Sequence, residues 1–269
     1  MTAHTGGPPS VASSIHRAFS RHPISAYIVI AFGWAWTLTP LVSISVLFGL
    51  VALFGPAVAA IVVSRTDGSA SALRRRITDW RSPARSYLMA IGIPFGIAAV
   101  ALAAWLATGH GQPGLGSVSA IELLIFVLVI GEEIGWRGFL LPRLRERMSL
   151  PAAGLVTGVI WTAWHLPIYL APGQGPVAFA VFAWWVLPLA IVMAFVAERA
   201  RYGVLVMTVM HGTANVATVI LLPGVDHTWT MLATGTAYLL LATTLVAGSR
   251  SAVRGPRSDA APVPTKEMA

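Results

Sequence analysis

Six polar residues in this 269-residue chain have types and spacing suited to chemistry: Glu132, Glu133, Arg137, His165, His211 and Asn215. The first three stand in IELLIFVLVIGEEIGWRGFLL, residues 121–141, where nearly everything else suits lipid. Each ionised side chain near a bilayer centre costs roughly 2.5–3.5 kcal/mol on insertion scales. A segment that keeps three of them has a functional role as its default explanation. Elimination isolates the set further. All four aspartates fall in loops or the tail, Glu122 sits at a segment end, and Glu146, Glu198 and Glu267 lie outside the apolar stretches. Only His165 and His211, of seven histidines, lie within apolar segments.

Helical spacing divides the labour. Glu133 and Arg137 are four residues apart, share a face and suit an ion pair with the carboxylate on the N-terminal side. Glu132 is turned about 100° away, which leaves it free for other work. His211 and Asn215 are also four apart and present an imidazole and a carboxamide to one neighbour. A carboxylate and imidazoles can activate water, relay protons or hold a metal. A carboxamide can stabilise an oxyanion.

The elements that must position these groups are membrane spans. The chain is 56% hydrophobic and 10% charged, against about 25% charged for a soluble domain. Eight apolar stretches are long enough for a hydrocarbon core of roughly 30 Å: 25–45, 46–63, 86–107, 119–141, 152–170, 177–197, 204–222 and 229–247. The expected fold is an all-α polytopic bundle over 25–247, with a catalytic core at 119–222. Tails 1–24 and 248–269, rich in Ser, Gly, Pro or charge, read as disordered. No cleavable signal is expected, because the first stretch is too long for a signal core.

Charge sets the orientation. Arg17 and Arg21, then 65–85, 143–147, 199–201 and 250–266 hold every lysine and arginine except Arg137. The alternate loops 110–118, 171–176 and 223–228 hold none. The positive-inside rule makes the arginine-bearing face cytoplasmic, with both termini inside. That alternation also removes nucleic acid as a partner, despite a net charge of +8. The expected setting is the lipid bilayer of a bacterial plasma membrane. On these boundaries Glu132 lies roughly 14 Å and His211 roughly 10 Å from the arginine-bearing end of their segments, at 1.5 Å per residue. Pro167 kinks the segment that carries His165, and Gly135, Gly138, Gly154 and Gly158 permit close helix approach. Trp161, Trp164, Trp184, Trp185 and Trp229 read as interface belts and core.

Glu132-Glu133-x-x-x-Arg137, Trp161-x-x-x-His165 and His211-x-x-x-Asn215, in this order on separate segments, resemble the three motifs of the CPBP family. Those are the CAAX prenyl endopeptidases and the bacteriocin-processing or immunity (Abi) proteins. The resemblance covers about 132–215 and departs in one place, since Trp161 stands where the family usually has Phe. It implies an intramembrane endopeptidase in which Glu132 activates water and His165 orients it or shuttles the proton. His211 and Asn215 would stabilise the oxyanion, and Glu133 with Arg137 would hold the geometry. The substrate implied is a peptide or membrane-associated protein.

Zinc on Glu132, His165 and His211 is the alternative use of the same groups, with a water site that needs no metal favoured over it. With no cysteine, no aspartate in a span, no HExxH and no GxSxG, other intramembrane protease chemistries fit poorly. Two further readings stand beside the protease. One is a proton-coupled transporter, since buried Glu, His and Arg also mark ion paths. The other is a noncatalytic immunity or binding protein that keeps the fold.

Overall fold

A computed structural model describes residues 19–249, and every stretch of regular structure among them is helical. In chain order the helices are α1 (Pro23–Leu38), α2 (Val46–Ala52), α3 (Gly55–Thr66), α4 (Ala70–Thr78) and α5 (Ala84–Ala107). Then come α6 (Ala120–Leu128), α7 (Ile130–Gly135), α8 (Leu141–Arg145), α9 (Leu150–Trp164) and α10 (Leu166–Tyr169). The last three are α11 (Pro176–Arg199), α12 (Val204–Leu221) and α13 (His227–Gly248). The expected disordered tails lie outside the described residues except for 19–24 and 248–249. Of these, Pro23 and Ile24 belong to α1, and Gly248 ends α13.

Among the described residues, six helical stretches are long and apolar enough to cross a membrane: Pro23–Ser43, Val46–Thr66, Ala84–Ala107, Pro176–Arg199, Val204–Leu221 and His227–Gly248. The protein is an integral multi-pass membrane protein. The expected count of eight is corrected to six, and the two stretches that fall short are those carrying Glu132 and His165.

Proline chemistry accounts for the second break and for one freed carbonyl in the first. In the second, Pro167 has no N–H to give the carbonyl of Ala163, so α9 stops at Trp164 after 15 residues and His165 stands at the junction with α10. In the first, α6 ends at Val129, and a π-helical turn, Trp136–Leu140, separates α7 from α8. Pro142 stands just beyond that turn and cannot donate to Gly138, four residues back. The freed carbonyl of Gly138 accepts a hydrogen bond from Arg76 Nη1 of α4 at 2.8 Å. Irregular backbone at membrane depth is tolerated only inside protein, and Trp136–Leu140 is wholly buried.

The helices close a circuit in which each packs on the next: α1, α3, α7, α12, α5, α13, α11, α9 and back to α1. Among the six membrane-length stretches, α11 and α12 are the most buried. Gly154 and Gly158 let α9 approach α11 closely, since a Cβ on Gly158 would lie 2.8 Å from that of Ala190. Outward faces are apolar, with Val29, Leu88, Leu123, Val127 and Leu240 all more than half exposed, as a lipid-facing surface requires. α6 buries none of its residues. Glu122 closes its N-terminus through a reciprocal capping box with Ser119, which accounts for that carboxylate.

At the arginine-bearing end, Arg143 Nη2 donates to Asp67 Oδ2 at 2.7 Å and joins α8 to the turn before α4. Burial pushes the Asp67 carboxyl up, but hydrogen bonds from Ser69 and Arg143 outweigh it and hold the group below the usual carboxylate range. The stabilisation it contributes is present above about pH 4, the unfolded value, and is lost as pH falls through the lower folded value. Thermal unfolding in detergent is expected to separate wild type from Asp67→Asn above that window. The two should converge below it, and a gap independent of pH would refute the linkage.

Candidate active site

The site lies where α7, α9 and α12 meet. Glu133 and Arg137 form the ion pair expected from their spacing, with Arg137 Nη1 2.7 Å from Glu133 Oε1 and both side chains at most 1% exposed. The same oxygen accepts from His211 Nδ1 at 2.8 Å. Glu133 is therefore a bridge between α7 and α12, which its position on one helix could not disclose. Its other oxygen, Oε2, is buried without a partner, as is the hydroxyl of Tyr27 from α1.

Glu132 is not free, which corrects the reading from the helical wheel. Its Oε2 accepts from Trp161 Nε1 of α9 at 2.7 Å and from Trp136 Nε1, one turn along its own helix, at 3.2 Å. Among the described residues its Oε1 accepts no protein hydrogen bond. The carboxylate is thus tethered by one oxygen and available through the other. Trp136 and Trp161 are the two site residues whose role the sequence did not disclose. Trp136 carried a signal, since it stands to Glu132 as Arg137 does to Glu133. Trp161, Trp164 and Trp185 are buried and belong to the core, while Trp184 is exposed.

His165 is half-buried at the end of α9, with Nδ1 3.0 Å from the carbonyl of Trp161. A carbonyl only accepts, so Nδ1 carries the proton and Nε2 of the neutral ring offers a lone pair. The ring packs against Trp164 and Phe182, with centroids 4.8 Å away in each case. Phe182 and Tyr169 line a small cavity of about 200 Å³ beside it. His211 is held in the same sense: Nδ1–H faces Glu133, and Nε2 is the ring atom left for a reactant. Asn215 lies one turn further along α12, half-buried, and makes no hydrogen bond among the described residues. The structure thus brings Glu132, Glu133, Arg137, His165 and His211 together around Trp161, with Asn215 at the margin.

The zinc alternative does not fit this arrangement. No group of three His, Asp or Glu side chains among the described residues is placed to hold a metal ion.

A helical membrane bundle with a buried carboxylate–histidine centre is the class that fold and site define. Within it, residues 114–217 match the model of a family described as "Type II CAAX prenyl endopeptidase Rce1-like". The match contains all six candidate residues. The chain also resembles a CAAX prenyl protease 2 of Methanococcus maripaludis, with 26% identity over 103 residues. That alignment spans 34% of this chain and 38% of the relative's length. Over residues 114–217 the chain is similar to that family.

Proposed function

We propose that the protein is an intramembrane endopeptidase, hydrolysing a peptide bond of a membrane-associated protein or peptide toward the arginine-bearing face. The observation that carries this reading is the state of Glu132: one oxygen saturated by indole donors, the other without a protein donor among the described residues, in a cluster that holds two histidines. Oε1 takes a proton from water as the water oxygen bonds to the scissile carbonyl carbon. His165, with Nδ1 fixed on the Trp161 carbonyl, orients that water or passes the proton through Nε2. The carbonyl oxygen becomes an oxyanion, and the Asn215 carboxamide supplies a neutral donor for it. His211 donates through Nε2 when both ring nitrogens are protonated, with the Glu133 carboxylate at Nδ1 as the counter-charge. Collapse of the tetrahedral intermediate breaks the C–N bond, and the abstracted proton leaves on the amine. Glu133 and Arg137 hold the centre rather than react.

The positive-inside rule then places both termini and every arginine cluster on the cytoplasmic face of a bacterial plasma membrane. The relative's name makes a prenylated CAAX peptide one substrate to include, beside unmodified peptides.

The test is cleavage of a peptide library by protein in liposomes, with products read by mass spectrometry. Products seen with wild type and absent with folded Glu132→Ala are expected. A spectrum equally empty for both would favour a binding or transport role instead.

A further inference from the structure

A carboxylate has two oxygens that exchange places by rotation about a soft terminal torsion, so nothing intrinsic to Glu132 decides which one meets the water. The surroundings decide. Each carboxylate oxygen offers about two lone-pair positions, and both on Oε2 are taken, by Trp161 Nε1 at 2.7 Å and Trp136 Nε1 at 3.2 Å. The two indoles come from different helices, so a rotation of the carboxylate breaks both bonds together. An indole N–H donates and cannot accept; it occupies Oε2 and marks it as the oxygen that takes no proton.

We infer that Trp161, assisted by Trp136, is a positioning residue that makes Oε1 of Glu132 the basic atom of the site. This rests on the hydrolase reading above. Trp161 is suited to the role because it is itself held from every side. Its ring lies 4.4 Å from the Arg137 guanidinium carbon and edge-on to His211, with ring centroids 5.0 Å apart. Its carbonyl receives Nδ1 of His165 at 3.0 Å. One side chain therefore sets the base, while its own backbone orients the neighbouring histidine. A phenyl ring here would keep an aromatic face beside Arg137 and lose the donor, together with the volume of the second ring.

The test has two arms. Protein with ¹⁵N-labelled indoles in nanodiscs should show two N–H signals downfield of the rest of its ten tryptophans. Trp161→Phe and Trp136→Phe identify them, and both should move upfield in Glu132→Gln, where a neutral amide replaces the carboxylate. In kinetics, Trp161→Phe should lower kcat about 10-fold or more with KM unchanged. Indole signals that ignore Glu132→Gln, or a Trp161→Phe enzyme with wild-type kcat, overturn the inference. If Trp161→Phe does not fold, the response of the indole signals to Glu132→Gln decides. If wild type hydrolyses nothing, the hydrolase reading fails and the positioning role with it, while the indole arm still reports whether the two donors sit on Glu132.

Discussion

Arg137→Met is expected to be the most destabilising single change in the membrane domain, costing about 3–5 kcal/mol, as removal of one partner of a buried ion pair does. The reason is what stays behind. Glu133 is fully buried, its Oε2 already lacks a donor, and without Arg137 only His211 remains on Oε1. Methionine fills a similar volume, so the loss reports charge rather than a cavity. The double variant Arg137→Met/Glu133→Leu should recover much of the stability, since removing both charges is often neutral when packing is kept. Arg137→Lys should not recover it, because the guanidinium also lies over the Trp161 ring. Unfolding of the purified protein in mixed micelles gives the comparison. A single variant within about 1 kcal/mol of wild type, the range of an exposed pair, would show that the pair is not buried in the working protein.

The largest expected effect on activity is at Glu132. Glu132→Gln preserves shape and should reduce hydrolysis by about 10²–10⁴, the range of a general base. Glu132→Asp is the sharper comparison. It keeps the charge but is one methylene shorter, so it cannot reach the Trp161 and Trp136 donors and present an oxygen to water at the same place. A displacement of about 1 Å costs on the order of 10²-fold, so Asp should be nearly as poor as Gln. Rates on a cleaved library peptide measure both. Near-wild-type activity in Glu132→Asp would mean that placement of the carboxylate matters little.

Some of this was legible in the sequence for definite reasons. The Glu133–Arg137 pair follows from spacing on one helix, and the scarcity of polar residues in apolar stretches marked the rest of the site. What escaped were relations between helices. Glu132 and Glu133 are neighbours about 100° apart on a wheel, and only the packing of α9 and α12 determines that His211 meets Glu133 and the indole of Trp161 meets Glu132. The tryptophans escaped because a hydropathy reading counts them as apolar bulk and ignores the N–H. The eight-span count failed because window averages register how apolar a stretch is. They do not register where Pro142 and Pro167 interrupt its hydrogen-bond ladder.

The π turn at Trp136–Leu140 has a consequence for how the site can vary. A π turn amounts to one extra residue inserted in a helix, so the segment that bears Glu132 and Glu133 and the segment that bears Arg143 are out of phase by one position. Each half keeps its own register: the upper half is locked to α9 and α12, and the lower half is clamped to Asp67. Removing a residue between them would restore a regular helix and swing Arg143 about 100° around its axis, away from its aspartate. Relatives that lack the extra residue must therefore seat the lower segment differently, while the halves on either side of the turn remain free to diverge independently.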